Sequence, residues 1–147
     1  MTVTEFLHAH VPFLKGLTPE QAHSLAAKAE QRRYKKGQTI LFKGVSVEGL
    51  HVVAAGKVSV HAQPAKGKDW VQVAELGPGD VFGETSIVEF AMAGATVKGA
   101  DDATLVFVIP QDLFTDLLEK DAAFAERTRA LIDARRPKPA EKKPDPA

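Results

Sequence analysis

The spacing of apolar residues changes twice along the chain, from a helical period to alternation and back again. Residues 4–10 predict a short helix, followed by an apolar connector of Pro12-Phe13-Leu14 and Gly16-Leu17. Thr18-Pro19-Glu20-Gln21 reads as a helix start: Thr18 serves as N-cap, Pro19 takes the first helical position, and Gln21 is placed to complete a capping box. Ala22, Leu25, Ala26 and Ala29 continue at helical spacing, which predicts an end near Glu30. From Gln31 the chain turns to short runs rich in valine, isoleucine and threonine. Thr39-Ile40-Leu41-Phe42, Leu50-His51-Val52-Val53, Lys57-Val58-Ser59-Val60-His61, Trp70-Val71-Gln72-Val73-Ala74, Ala95-Thr96-Val97-Lys98 and Thr104-Leu105-Val106-Phe107-Val108-Ile109 all read as strands. After Pro110 helical spacing returns with Phe114, Leu117 and Leu118. Asp121 is then placed to cap a further helix carrying Phe124, Ala125, Thr128, Leu131 and Ile132.

Regularly spaced strands broken by turn residues imply a β-sandwich or barrel, so the expected class is mainly β with flanking helices. Gly37, Gly44, Gly49, Gly56, Gly67, Gly77 and Gly79 are expected at the turns, and Asp101-Asp102 reads as the turn between two strands. The chain has 147 residues, enough for one domain with a core over residues 1–136. Pro137 ends the last helical pattern, and the Pro/Lys-rich residues 137–147 read as a disordered tail.

Acidic and basic residues balance to a formal charge of zero, which argues against the global basic field that nucleic-acid binding needs. The tail cations Lys138, Lys142 and Lys143, with Arg135 and Arg136, are diluted by Asp133, Glu141 and Asp145. Cysteine is absent, which excludes disulfides and thiolate-bound zinc. The N-terminus has neither the basic start nor the apolar run of a signal peptide, and no segment approaches the roughly 20 apolar residues of a membrane span, so a soluble cytoplasmic protein is expected. His8, His10, His23, His51 and His61 are scattered, which predicts no metal site. Glu84 lacks a nucleophile or second acid at catalytic spacing, so no enzyme activity is expected. Trp70 reads as a packing or interaction residue rather than a base-stacking one.

The most informative segment is Leu76-Gly77-Pro78-Gly79-Asp80-Val81-Phe82-Gly83-Glu84, followed by Thr85-Ser86-Ile87-Val88-Glu89-Phe90 and, after a gap, Ala95-Thr96-Val97-Lys98. It resembles the phosphate-binding cassette of the cyclic nucleotide-binding domain family, the cAMP and cGMP receptors. The order of Lys36-Gly37, Phe42-Lys43-Gly44, Gly49-Leu50 and Ala55-Gly56-Lys57-Val58 extends the resemblance over residues 12–135. It implies a β-roll or jelly roll with terminal helices. It also implies a ligand site in which Gly83 and Glu84 hold the ribose and Thr85, Ser86 and the helix amides face the phosphate. Val73, Val81, Phe82, Ala95 and Val97 would enclose base or sugar. In the family the terminal helices move when ligand arrives, and one often pairs with its twin; here Phe124, Thr128, Leu131 and Ile132 would meet a partner or a second copy. Packing of the same residues on their own barrel is the equal alternative.

One position departs from the pattern. The family places an arginine nine residues after the glutamate, and this chain has Ala93 there, followed by Gly94. A cyclic phosphodiester is an anion that must be paired when desolvated, and arginine suits this because its planar fork donates two parallel hydrogen bonds and stays charged. Between Arg33 and Arg127 the sequence has no arginine. Lys98 shares a strand face with Thr96 rather than with Ala95 and Val97, which directs it to solvent, and Glu89 adds a negative charge nearby. The expectation is a stand-alone regulatory or adaptor module with weak or absent binding of cAMP or cGMP, no certain cofactor, and a protein effector for its output. A true sensor of a cyclic nucleotide, or of a less anionic ligand using the room at Ala93 and Gly94, is the alternative.

Overall fold

Two four-stranded antiparallel sheets face each other, with helices at both ends of the chain, in a computed structural model that describes residues 2–63, 67–89 and 92–135. In chain order the elements are α1 (Val3–Ala9), a single 3₁₀ turn (Pro12–Leu14), α2 (Pro19–Lys28), β1 (Glu30–Tyr34), β2 (Thr39–Leu41), β3 (Gly49–Ala55), β4 (Val58–Ala62), β5 (Val71–Leu76), β6 (Val81–Phe82), α3 (Glu84–Val88), β7 (Thr96–Gly99), β8 (Thr104–Pro110), α4 (Gln111–Lys120) and α5 (Ala122–Arg135). One sheet has the order β1-β8-β3-β6 and the other β2-β7-β4-β5. The tail expected from Pro137 lies outside the described residues.

Local chemistry sets the helix starts. Thr18 Oγ1 accepts from the Gln21 amide at 3.1 Å while Gln21 Oε1 accepts from the Thr18 amide at 2.8 Å, the reciprocal capping box that the sequence predicts. Asp121 Oδ1 accepts from the Phe124 amide at 3.0 Å and so caps the start of α5. Asp101 makes the expected turn, accepting from the Ala103 amide at 2.8 Å.

Three expectations need correction. Glu30-Gln31-Arg32-Arg33-Tyr34 is a strand despite its polarity, because it is the edge partner of the apolar β8 and only needs to cover one side of it. Trp70 precedes β5 rather than opening it, and its ring lies under the Lys43 ammonium, 5.8 Å from the ring centre. Gly49 lies in β3 rather than at a turn: a Cβ there would stand 2.1 Å from the Ile109 carbonyl oxygen, so glycine is required by the close approach of β8.

The core lies between the sheets and under the terminal helices. Leu50, Val52 and Val53 of β3 and Val106 and Ile109 of β8 are fully buried, as are Leu7 and Leu14 from the N-terminal segment. Phe124 of α5 seats against Phe13 at 5.1 Å and edge-on against Phe114 at 5.8 Å. Burying one such ring contributes about 1.5–3 kcal/mol, so α5 is held to the N-terminal connector and to α4 together. Arg127 reinforces that seat: its guanidinium lies 5.6 Å from the Phe124 ring centre, and its Nε donates to the Phe13 carbonyl at 3.4 Å.

Candidate functional site

Strand β6 ends at Gly83, whose φ of +93° turns the chain directly into α3. A side chain here would be strained by that φ and would stand 3.0 Å from Val47 Cγ1 and 3.3 Å from the Gly49 carbonyl. The turn carries Glu84, the next residue, into the interior, where only 1% of its surface is exposed. An ionised carboxylate in that setting needs a partner. Arg135, the last residue of α5, supplies it: Nη1 donates to Glu84 Oε1 at 2.7 Å, and the arginine side chain is itself one-third exposed. The other oxygen, Oε2, is buried and has no hydrogen-bond partner among the described residues.

Arg135 reaches this position because α5 lies along α3 by one stripe. Phe124, Thr128 and Ile132 recur at every fourth residue and are buried, and Arg135 follows three residues later on the same face. Thr128 turns its hydroxyl back to the Phe124 carbonyl at 2.9 Å, so its buried polar atom is satisfied inside the helix. The residues expected to meet a partner or a second copy are therefore engaged within this chain: Phe124, Thr128 and Ile132 are buried, and Leu131 packs half-buried against the core. Their apolar side faces the N-terminal 3₁₀ turn, α3 and α4.

His51 stands beside the Gly83 turn, with Nδ1 as donor to the Gly49 carbonyl at 3.0 Å and its ring stacked on Phe82 at 4.7 Å. The proton is assigned to Nδ1 because a carbonyl can only accept. Burial lowers its pKa from 6.5 to about 4, opposed by the hydrogen bond to Gly49, so the ring is neutral near neutral pH. Scattered histidines in the sequence gave no sign of this one; its burial follows from the pairing of β3 with β6, where it faces Phe82.

The rest of the expected site divides into joined and separate parts. Val81 and Phe82 are buried in β6 immediately before the turn. Thr85 and Ser86 are half-buried on α3, and the Ser86 hydroxyl donates to the Met92 carbonyl at 3.3 Å, closing α3 onto the following loop. Ala93 is 4% exposed, with its N–H on the Val45 carbonyl and its C=O on the Gly44 amide, both at 2.8 Å. Room is thus present at Gly94, where an added Cβ meets nothing within 4 Å, but the Ala93 side chain is packed in the core. On β7, Val97 is buried opposite Val60 and Ala95 precedes the strand half-buried, while Thr96 and Lys98 take the other face opposite His61 and Ser59. Val73 lies on the edge strand β5 and is 57% exposed.

A sequence model described as "Cyclic nucleotide-binding domain" matches residues 31–121, from β1 to the end of α4. The chain belongs to this family. This cyclic nucleotide-binding domain is 29% identical over 124 residues to the cyclic AMP receptor protein of Thermus thermophilus, covering 84% of this chain and 56% of that protein. It is 30% identical over 108 residues to the cAMP-dependent protein kinase type II regulatory subunit of Drosophila melanogaster, covering 74% of this chain and 28% of that subunit. The chain therefore spans little more than half of the first relative and about a quarter of the second. Its fold is that of the regulatory domain of Toxoplasma gondii PKA solved with cAMP, with a TM-score of 0.78 at 19% identity over 90% of this chain and 48% of the other. Glu84 falls inside the family match and Arg135 outside it, so the ion pair joins the domain's cassette to a helix beyond the matched residues. Among the described residues no helix is long and apolar enough to cross a membrane.

Proposed function

We propose that this domain is a regulatory module that binds cAMP or cGMP weakly or not at all and passes its state to a protein partner. The observation that carries this reading is Ala93, a buried apolar side chain at the position where the family's resemblance puts the phosphate-binding arginine. The arginine that does reach the cassette, Arg135, is already bonded to Glu84. Removing one member of a charged pair costs about 2–5 kcal/mol, which would move a ligand of roughly 1 µM affinity to between about 30 µM and 5 mM. The regulatory character follows the named relatives, a cyclic AMP receptor and a kinase regulatory subunit. Phe42, Trp70, Val73 and Met92 are large apolar side chains left exposed and offer surface to a partner.

The test is calorimetric titration with cAMP and cGMP to about 5 mM, the upper end of the affinity range above, run beside the Ala93→Arg variant. Silence in the natural protein with binding gained in the variant supports the reading. Saturable micromolar binding by the natural protein would overturn it.

A second reading is favoured by one specific observation. Among the described residues Glu84 Oε2 is a buried acceptor without a donor, and a ligand hydroxyl would satisfy it. On that reading the pocket holds a small nucleotide-like ligand other than cAMP or cGMP.

A further inference from the structure

Helices α3, α4 and α5 border a groove of about 480 Å³. Its lining is apolar where Ile87 of α3, Leu118 of α4 and Ala125 and Ile132 of α5 meet. Its charged lining is Glu119, near the end of α4, with Arg129 and Asp133 of α5. These three side chains are exposed, and none has an ion-pair or hydrogen-bond partner among the described residues. Such a groove favours an occupant with little apolar bulk that carries the opposite charges in the matching order.

The chain carries a segment of that kind. Residues 1–135 hold 15 Lys and Arg against 17 Asp and Glu, whereas residues 136–147 hold four against two, so the formal balance of zero joins an acidic body to a basic end. From the end of α5 backward, the charged lining runs Asp133, Arg129 and then Glu119: negative, positive, negative. Onward from Arg135 the sequence runs Lys138, Glu141 and Lys142-Lys143: positive, negative, positive. Pro137, Pro139 and Ala140 stand between these charges and suit a shallow apolar floor. Reach is sufficient. Along α5 the groove extends from Asp133 back to Ala125, about 12 Å of helix, and residues 136–143 in an extended proline-rich conformation span about 22 Å. Their point of departure is fixed beside the groove, because Arg135 is bonded to Glu84 at the first residue of α3.

We propose that this groove is the docking site of the chain's own residues 136–143, which turn back along α5 and set Lys138 against Asp133, Glu141 against Arg129, and Lys142-Lys143 against Glu119. The inference is independent of what the cassette binds. Exposed ion pairs are weak one by one. A segment tethered at the rim, however, stands at an effective concentration on the order of millimolar, which populates contacts too weak to form between separate molecules. Seated there, the segment covers the face shared by α3, α4 and α5, and any other protein with a basic segment reaches that face only by displacing it.

The experiment is paramagnetic broadening of backbone amide signals in the full chain. Cysteine is absent, so Ala140→Cys gives a single attachment point for a nitroxide. Expected is a several-fold loss of signal at Ile87, Leu118, Arg129 and Ile132, with the strands β4 and β5 of the other sheet unaffected. Raising salt from about 0.1 M to about 1 M, which shortens the screening length from about 10 Å to about 3 Å, should restore the lost signals. Glu119→Lys should restore them as well, and Lys142→Glu with Lys143→Glu in the Glu119→Lys background should bring the loss back. Full signal at the groove amides in the labelled protein would overturn the proposal. A loss that persists through both high salt and Glu119→Lys would also overturn it, because the charges would not be what seats the segment. Mixing spin-labelled chains with separate isotope-labelled chains that carry no nitroxide should leave the groove signals intact. A loss in that mixture alone would place the segment of a second copy in the groove and overturn the assignment to the chain's own.

Discussion

Arg135 Nη1 lies 2.7 Å from Glu84 Oε1, so the last residue of α5 neutralises a carboxylate 51 residues earlier in the chain. Breaking a fully buried ion pair by removing one partner costs about 3–5 kcal/mol. Arg135 is one-third exposed, so water can partly replace it, and Arg135→Ala is expected to cost about 2–3 kcal/mol. Arg135→Gln with Glu84→Gln together should cost less than the two single changes added, since the double variant leaves no unpaired charge. Urea unfolding of the four proteins measures the coupling; strict additivity would mean that the pair contributes nothing to the fold.

His51 gives a pH dependence whose sign is fixed by the direction of its shift. The native ring has a pKa of about 4 against 6.5 for the free side chain, so between these values the unfolded chain binds a proton that the native one does not. Its contribution is fully present above about pH 6.5 and is lost as pH falls toward 4, amounting to about 3 kcal/mol in all. Chemical unfolding at intervals from neutral pH down to pH 4 should show this decline, and His51→Gln should flatten the part of it due to this group. An unchanged slope in the variant would assign the acid sensitivity to other residues.

Gly83→Ala tests whether the turn aims Glu84. The φ of +93° disfavours any Cβ, and the added atom would stand 3.0 Å from Val47 Cγ1. A loss of about 1–3 kcal/mol is expected from strain alone, with a further loss if the carboxylate swings away from Arg135. Thermal unfolding of Gly83→Ala in the Arg135→Gln background separates the two terms. A smaller loss there than in the natural background shows that the turn and the ion pair are coupled, and an equal loss shows that the glycine serves the backbone only.

How much of this was legible in the sequence depends on how local each cause is. Thr18 and Gln21 are three residues apart and predict their own reciprocal hydrogen bonds, as Asp121 predicts its cap on Phe124. The valine-rich strands were legible because a half-buried surface selects those residues. β1 was not, because Arg32 pairs with both Glu30 and Glu48 on an exposed edge, and the partner β8 carries the apolar character. Gly49 was read as a turn because the carbonyl of Ile109 that excludes its side chain lies 60 residues away.

At the site the division is similar. Gly83 and Glu84 are marked by the resemblance of their neighbours, and alternation separates Val97 from Thr96 and Lys98 without itself saying which face is buried; in β7 it is the face of Val97. Arg135 is not legible from the cassette, because it lies 51 residues beyond Glu84 on the helix that folds back on it. A signal for it exists in the sequence: it continues the stripe Phe124, Thr128, Ile132, and a charged residue at the end of a buried stripe invites a buried counter-charge. His51 carried no comparable signal, since only the pairing of β3 and β6 sets it against Phe82.

Helix α5 is fastened at one end by an aromatic seat and at the other by a charged contact, and these two fastenings differ in reach. Phe124 is wedged between Phe13 and Phe114, under the Arg127 guanidinium, and serves as a fulcrum. Arg135 lies 11 residues further on, a lever arm of about 16 Å at 1.5 Å per residue. A tilt of about 10° about that fulcrum carries the helix end some 3 Å sideways by the same geometry. A displacement that leaves the ring contacts of Phe124 in place would thus be enough to take Arg135 out of hydrogen-bond reach of Glu84.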